Sequence, residues 1–145
     1  MSQENVEIVR RYFEHLDQLL AHYWANPVPI SQYPLLEEAF NAIAPEAEWK
    51  PPFMGKPVRG RDAWLALVSG WLEAADDWRI KVEDVSDLGG EHVLCVSQNS
   101  IRGKDSGLAV DQRIFTLVTV RKGQIAAISD FTERRDALEA AGLRE

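Results

Sequence analysis

Residues 109–131 read AVDQRIFTLVTVRKGQIAAISDF, and this stretch decides the fold. The run over 109–120 predicts one long strand, and Lys122-Gly123 is a tight hairpin signal that returns the chain as a second strand over 124–131. Upstream, Arg102-Gly103-Lys104-Asp105-Ser106-Gly107 is a turn that separates 109–120 from another strand over 92–101. Gly89-Gly90 supplies one more turn, and before it Trp78, Ile80 and Val82 alternate with charged residues, as on a half-buried strand. Turns this short force antiparallel pairing, so four strands form a meander. Long strands twist and curl, which gives a concave face for helices to cover.

The N-terminal half has a different period. Ser2 is an N-cap candidate, Glu4 suits the positive end of a helix dipole, and Val6, Val9, Phe13, Leu16, Leu20 and Tyr23 form one apolar stripe. Pro27, Pro29 and Pro34 interrupt any helix, and a short second helical pattern follows over 35–43. Trp49 falls on a short strand, and the proline-rich residues 50–57 read as loop. Gly60-Arg61-Asp62 opens a third helix whose apolar positions are Trp64, Leu67, Val68, Trp71, Leu72 and Ala75. A short helix over 133–141, stopped by Gly142, closes the chain.

On the longest strand Ile114 and Val118 point one way while Phe115 and Leu117 point the other. A sheet with one solvated face alternates apolar with polar. The second face therefore needs a cover, and a homodimer through the sheet is the expectation.

The bulk numbers narrow the class. A chain of 145 residues, 46% hydrophobic, is a single domain with material for a core. Its net charge of −7 and scattered basic residues disfavour nucleic acid as a partner. Arg10-Arg11 and Arg134-Arg135 sit among acids in helical segments and read as solvated faces. No apolar run nears the ~20 residues of a membrane helix, and the polar start is no signal peptide, so a cytoplasmic protein is expected. Cys95 is the single cysteine, which excludes an internal disulfide and reads as a small buried hydrophobe. His15, His22 and His92 lack metal-ligand spacing, and no glycine-rich phosphate loop is present, so neither metal nor cofactor is expected.

Several motifs carry a resemblance. The opening Glu4-Asn5-Val6-Glu7-Ile8-Val9-Arg10-Arg11-Tyr12, then Glu48-Trp49, Gly60-Arg61-Asp62-Ala63, Val110-Asp111-Gln112-Arg113 and Ala137-Leu138-Glu139-Ala140-Ala141-Gly142-Leu143 resemble the SnoaL-like branch of the nuclear-transport-factor-2-like superfamily. The match spans nearly the whole chain, with an insertion at about 19–34 that carries Tyr23, Trp24 and Tyr33. It implies an α+β fold: a cone-shaped barrel whose curved antiparallel sheet wraps a long N-terminal helix and two shorter helices, with a short C-terminal helix. It does not imply a reaction, because the same cone hosts several chemistries.

Each known catalytic set of that superfamily can be laid on the sequence. The ketosteroid isomerase tyrosine resembles Tyr12, but the base position falls at Pro51 and the second acid near Thr116. In limonene-type epoxide hydrolases the Arg and Asp positions correspond to Ser97 and Asn99, and the Tyr and Asn positions to Trp49 and Pro51. Neither Ser97 nor Asn99 is a strong proton donor. The last-strand acid survives as Asp130, which also suits the general acid/base of SnoaL-type cyclases, although Ile114 and Thr116 replace their polar partners.

Strand alternation gives a separate reading. If Asp130 faces inward, so do Ile128 and Ala126; pairing through the Lys122-Gly123 hairpin suggests Gln112, Ile114, Thr116 and Val118 on that side. Val93, Cys95, Ser97 and Asn99 share a face of the preceding strand. Trp49, Phe53, Trp64 and Trp71 supply apolar walls, and Tyr12 a hydroxyl. The candidate catalytic residue is Asp130, against a capping or arginine-paired role; the binding candidates are Tyr12, Trp49, Phe53, Trp64, Ser97, Asn99, Gln112, Ile114, Thr116 and Ile128. Such a surface suits a small hydrophobic molecule and, if catalytic, a cofactor-independent cyclase, isomerase, dehydratase or hydrolase. The competing expectation is a non-catalytic ligand sensor or dimeric interaction domain.

Overall fold

The computed structural model describes residues 2–26, 32, 40–51 and 56–143. The apolar stripe of the N-terminus forms α1, Ser2–Ala25, and Val9, Phe13, Leu16 and Leu20 are buried along it. The structure continues through β1 (Ile43–Lys50), β2 (Val58–Arg59), α2 (Arg61–Ala74), β3 (Ala75–Gly89), β4 (His92–Gly103), β5 (Ala109–Arg121), β6 (Gln124–Phe131) and α3 (Arg134–Ala140). Most of the short helix expected over 35–43 lies outside the described residues, as do Phe53 and Tyr33; Ile43 already belongs to β1. Ala75, expected at the end of a helix, is the first residue of β3.

The meander over β3 to β6 is present, and the strand order is β2-β1-β6-β5-β4-β3. Two features differ from expectation. The sheet curves but does not close into a barrel. It is also not wholly antiparallel, because β1 runs parallel to β6, with Trp49 beside Ile128. β2, α2 and the strands β3 to β5 separate those two strands in sequence, which is more than the crossover a parallel pair needs.

Two glycines set the entry and return of the chain. Gly60 has φ +90°, and from there its N–H reaches the Ala47 carbonyl at 2.9 Å. The Trp64 indole N–H donates to the same carbonyl at 3.1 Å, and the Arg61 guanidinium to the Ile43 carbonyl, so α2 is bolted to β1. At the β5–β6 hairpin Lys122 and Gly123 have φ of 52° and 78°, the left-handed pair that matches strand twist in a two-residue loop.

The core lies between α1, α2 and the concave face of the sheet. Edge strand β3 is held by α1: Asp17 accepts from the Ile80 N–H at 2.9 Å and from the Arg79 guanidinium at 2.8 and 3.0 Å. That satisfies a backbone donor that an open sheet edge would otherwise present.

The convex face is covered by the chain itself. Leu94 and Val96 are buried against Ala137 of α3, with Leu88, Phe115, Phe131 and Leu138 packed around them. Arg134 caps the Phe115 ring at 5.3 Å. Among the described residues the large hydrophobics left exposed are Leu108, Val110 and Leu143. The premise for a second subunit was an uncovered Phe115–Leu117 face; α3 covers Phe115, and Leu117 is buried. The apolar residues there are explained by an intrachain helix.

Candidate functional site

The concave face encloses a cavity of about 340 Å³. Tyr12 comes from α1, Trp49 from β1, Trp64 and Trp71 from α2, Trp78 and Ile80 from β3. Ser97 and Asn99 reach it from β4, Gln112, Ile114 and Thr116 from β5, and Ile128 and Asp130 from β6. Every site residue expected from the sequence and described in the structure therefore meets in one cavity.

Asp130 sits at its centre chemically. Its Oδ1 accepts from the Thr116 hydroxyl at 2.7 Å, and its Oδ2 from the Trp49 indole N–H at 2.9 Å. Burial pushes its carboxyl above the usual aspartate range, while these two donors pull the other way without cancelling the shift. The capping role is absent: Glu133 is the N-cap residue of α3, and that cap has no side-chain hydrogen bond. The salt bridges among the described residues do not include Asp130.

A single irregularity puts Asp130 there. The two-residue hairpin pairs Arg121 with Gln124 and Val120 with Ile125, and continued unbroken that register would set Asp130 opposite Phe115 on the convex side. Between Val120–Ile125 and Thr119–Ala127 the register shifts, so Ala126 is an extra, bulged residue. The shift flips the side-chain phase, sets Asp130 opposite Thr116, and makes Ile125 rather than Ala126 the core residue. The hairpin alone did not license the inward reading of Asp130.

The polar end is divided in two. Asn99 donates to the Ser97 Oγ at 3.0 Å and accepts from the Trp78 indole at 3.5 Å, and Gln112, its cross-strand partner, donates to the Arg113 carbonyl. Neither carboxamide is bonded to Asp130, which Trp49 and Thr116 hold. Tyr12 stays protonated, its hydroxyl pKa raised by burial and by the charge of Asp130. The Cys95 thiol, buried behind the wall, is pushed up to about 12 by burial and then by Asp130, so it is no ready thiolate.

Four indoles form a continuous wall. Ring centroids lie 5.6 Å apart for Trp49–Trp64, 5.4 Å for Trp49–Trp71 and 5.6 Å for Trp71–Trp78. Trp78 was not among the expected site residues, although its alternation with Ile80 was the signal that placed both on one face. Trp24 packs outside the cavity and donates to the Trp78 carbonyl at 2.7 Å. Among the described residues no group of three or more His, Cys, Asp or Glu is placed to hold a metal, and no helix is long and apolar enough to cross a membrane.

The raised carboxyl has a thermodynamic consequence. Above the ordinary value of 3.8 the native state holds the Asp130 proton longer than the unfolded chain does. This group's contribution to stability is therefore fully present below that value and is lost as pH rises through the raised native value. Urea midpoints measured across pH are expected to fall more steeply in the wild type than in Asp130→Asn over that window. Parallel profiles would show that the carboxyl is not desolvated.

A family model of the SnoaL-like domain matches residues 36–128. Among solved structures, a putative SnoaL-like polyketide cyclase from Jannaschia sp. is 21% identical, with a TM-score of 0.69, covering 91% of this chain and 87% of that one. A nuclear-transport-factor-2-like protein of unknown function from Burkholderia pseudomallei is 15% identical, with a TM-score of 0.70 and 97% of each chain covered. SalBIII, described as an epoxide hydrolase/cyclase-like enzyme in pyran ring formation in the polyether salinomycin, is 16% identical, with a TM-score of 0.68 over 92% of this chain and 94% of its own. Among curated proteins, none matches in sequence.

Proposed function

We propose that this chain, which belongs to the SnoaL-like domain family, takes a small, largely apolar molecule into its cavity and acts on it without a cofactor. Asp130 is the general acid/base of a cyclisation, isomerisation, dehydration or hydrolysis. The observation that carries this reading is one carboxyl facing a largely apolar, indole-walled cavity, with no arginine or helix-terminus partner among the described residues. A desolvated carboxyl of this kind has its proton affinity moved toward neutral pH, where exchange with a substrate is efficient.

The hydrogen bonds define how it works. An indole N–H can only donate, so Oδ2 is held as an acceptor in both protonation states. The Thr116 hydroxyl can donate to the carboxylate or accept from the acid, so it follows the proton on Oδ1. Trp49 and Thr116 thus position Asp130, and Tyr12 offers a second, neutral donor from across the cavity. The polyketide cyclase and pyran-forming relatives favour ring closure among the four reaction types.

The test is a thermal-shift and turnover screen of apolar molecules of about 10–20 heavy atoms, a size suited to a pocket near the lower end of the usual range. A binder that raises the midpoint and quenches tryptophan fluorescence, and is converted, supports the reading. Binding without conversion would favour a ligand sensor instead, and no binding at all would sink both.

A further inference from the structure

The wall of the cavity has an unbalanced charge. Among its described lining residues Asp130 and Tyr12 are the only titratable groups, and none is Lys, Arg or His. The sequences of 27–39 and 52–55 contain no Lys, Arg or His either. Tyr12 stays neutral. The described wall therefore carries a charge of zero or minus one.

The surroundings of that charge are aromatic. Seven of the lining side chains are Trp, Tyr or Phe. The indole of Trp49 binds Oδ2 at 2.9 Å and itself lies 5.4 Å from Trp71 and 5.6 Å from Trp64, so the carboxylate stands beside a cluster of indoles. Two donors, Trp49 and Thr116, already favour the ionised form, but neither supplies a counter-charge. Indole faces attract cations, and a carboxylate beside them completes the site for an organic ammonium group.

We infer that the molecule this cavity takes is an organic cation: a protonated or quaternary amine on an apolar body, its nitrogen held between Asp130 and the faces of Trp49 and Trp71. This rests on the reading of the cavity as a ligand site and adds the ligand's charge. An anionic ligand meets an uncompensated carboxylate instead, and a neutral one leaves it without a counter-ion.

Three probes that share a benzyl group separate the possibilities: benzyltrimethylammonium, its isosteric uncharged carbon analogue neopentylbenzene, and the smaller anion phenylacetate, each titrated against tryptophan fluorescence. The wild type is expected to bind the cation at least about 10-fold more tightly than the neutral analogue, roughly 1.4 kcal/mol, and to bind phenylacetate more weakly than either. Asp130→Asn is expected to abolish the preference while keeping the neutral analogue's affinity. Trp71→Leu, which removes a ring but neither the carboxylate nor either of its two hydrogen-bond donors, is expected to reduce the preference at least 3-fold. Equal affinity for cation and neutral analogue, or a preference that survives in Asp130→Asn, overturns the inference while leaving the cavity a ligand site. Binding of none of the three overturns the ligand-site reading and this one with it.

Discussion

Asp130→Asn is expected to lower turnover of a substrate accepted by the cavity by about 10²–10⁴-fold, the usual worth of a positioned general acid/base. The substitution keeps the size and shape of the side chain. Its amide oxygen can still accept from the Trp49 indole, and its NH₂ can donate to the Thr116 hydroxyl, which reverses its role. What is lost is the transferable proton. Stability should therefore hold or rise above neutral pH, because a desolvated charge is removed. Turnover within twofold of the wild type would sink the assignment. A fall in both turnover and thermal midpoint would mean that Asp130 is structural. The separation of the two readouts is what makes this variant informative.

Trp64→Ala is expected to cost about 3–5 kcal/mol of stability, the range for removing a buried large aromatic side chain. Trp64 is 2% exposed and heads the fully buried side chains by volume. Its ring packs 5.6 Å from Trp49, and its N–H is spent on the Ala47 carbonyl, so one residue links α2, β1 and the cavity wall. Denaturant melts should show the loss as a midpoint shift without a change of slope, and a thermal midpoint lower by about 8–15 °C. Trp64→Phe, which keeps most of the ring volume, should cost markedly less. A cost below about 1 kcal/mol for the alanine variant would mean that Trp64 is not part of a close-packed wall. Because Trp49 leans on Trp64 and also holds Asp130, the alanine variant should disturb the carboxylate as well.

The elements were legible because their signals are local. The helical spacing of Val9, Phe13, Leu16 and Leu20 and the alternation of Trp78, Ile80 and Val82 each depend on a few neighbouring residues. Lys122-Gly123 marked its hairpin for the same reason, since both positions must reach positive φ. The parallel seat of β1 against β6 was not legible, because no local pattern in 43–50 names a partner some eighty residues away. That α3 packs on the convex face was not legible either, since its apolar side chains do not announce which surface they will meet.

The site divides along the same line. Sequence alone placed one candidate acid, Asp130, near the end of the last strand, and left its capping and arginine-paired roles open. Only the tertiary structure decided which way it faces. Side chains alternate with period two, so one extra residue at Ala126 is enough to turn the carboxyl from the convex surface into the cavity. The bulge places Ile125 beside Val120 in a core whose other members, among them Val9, Leu20 and Trp64, come from distant parts of the chain.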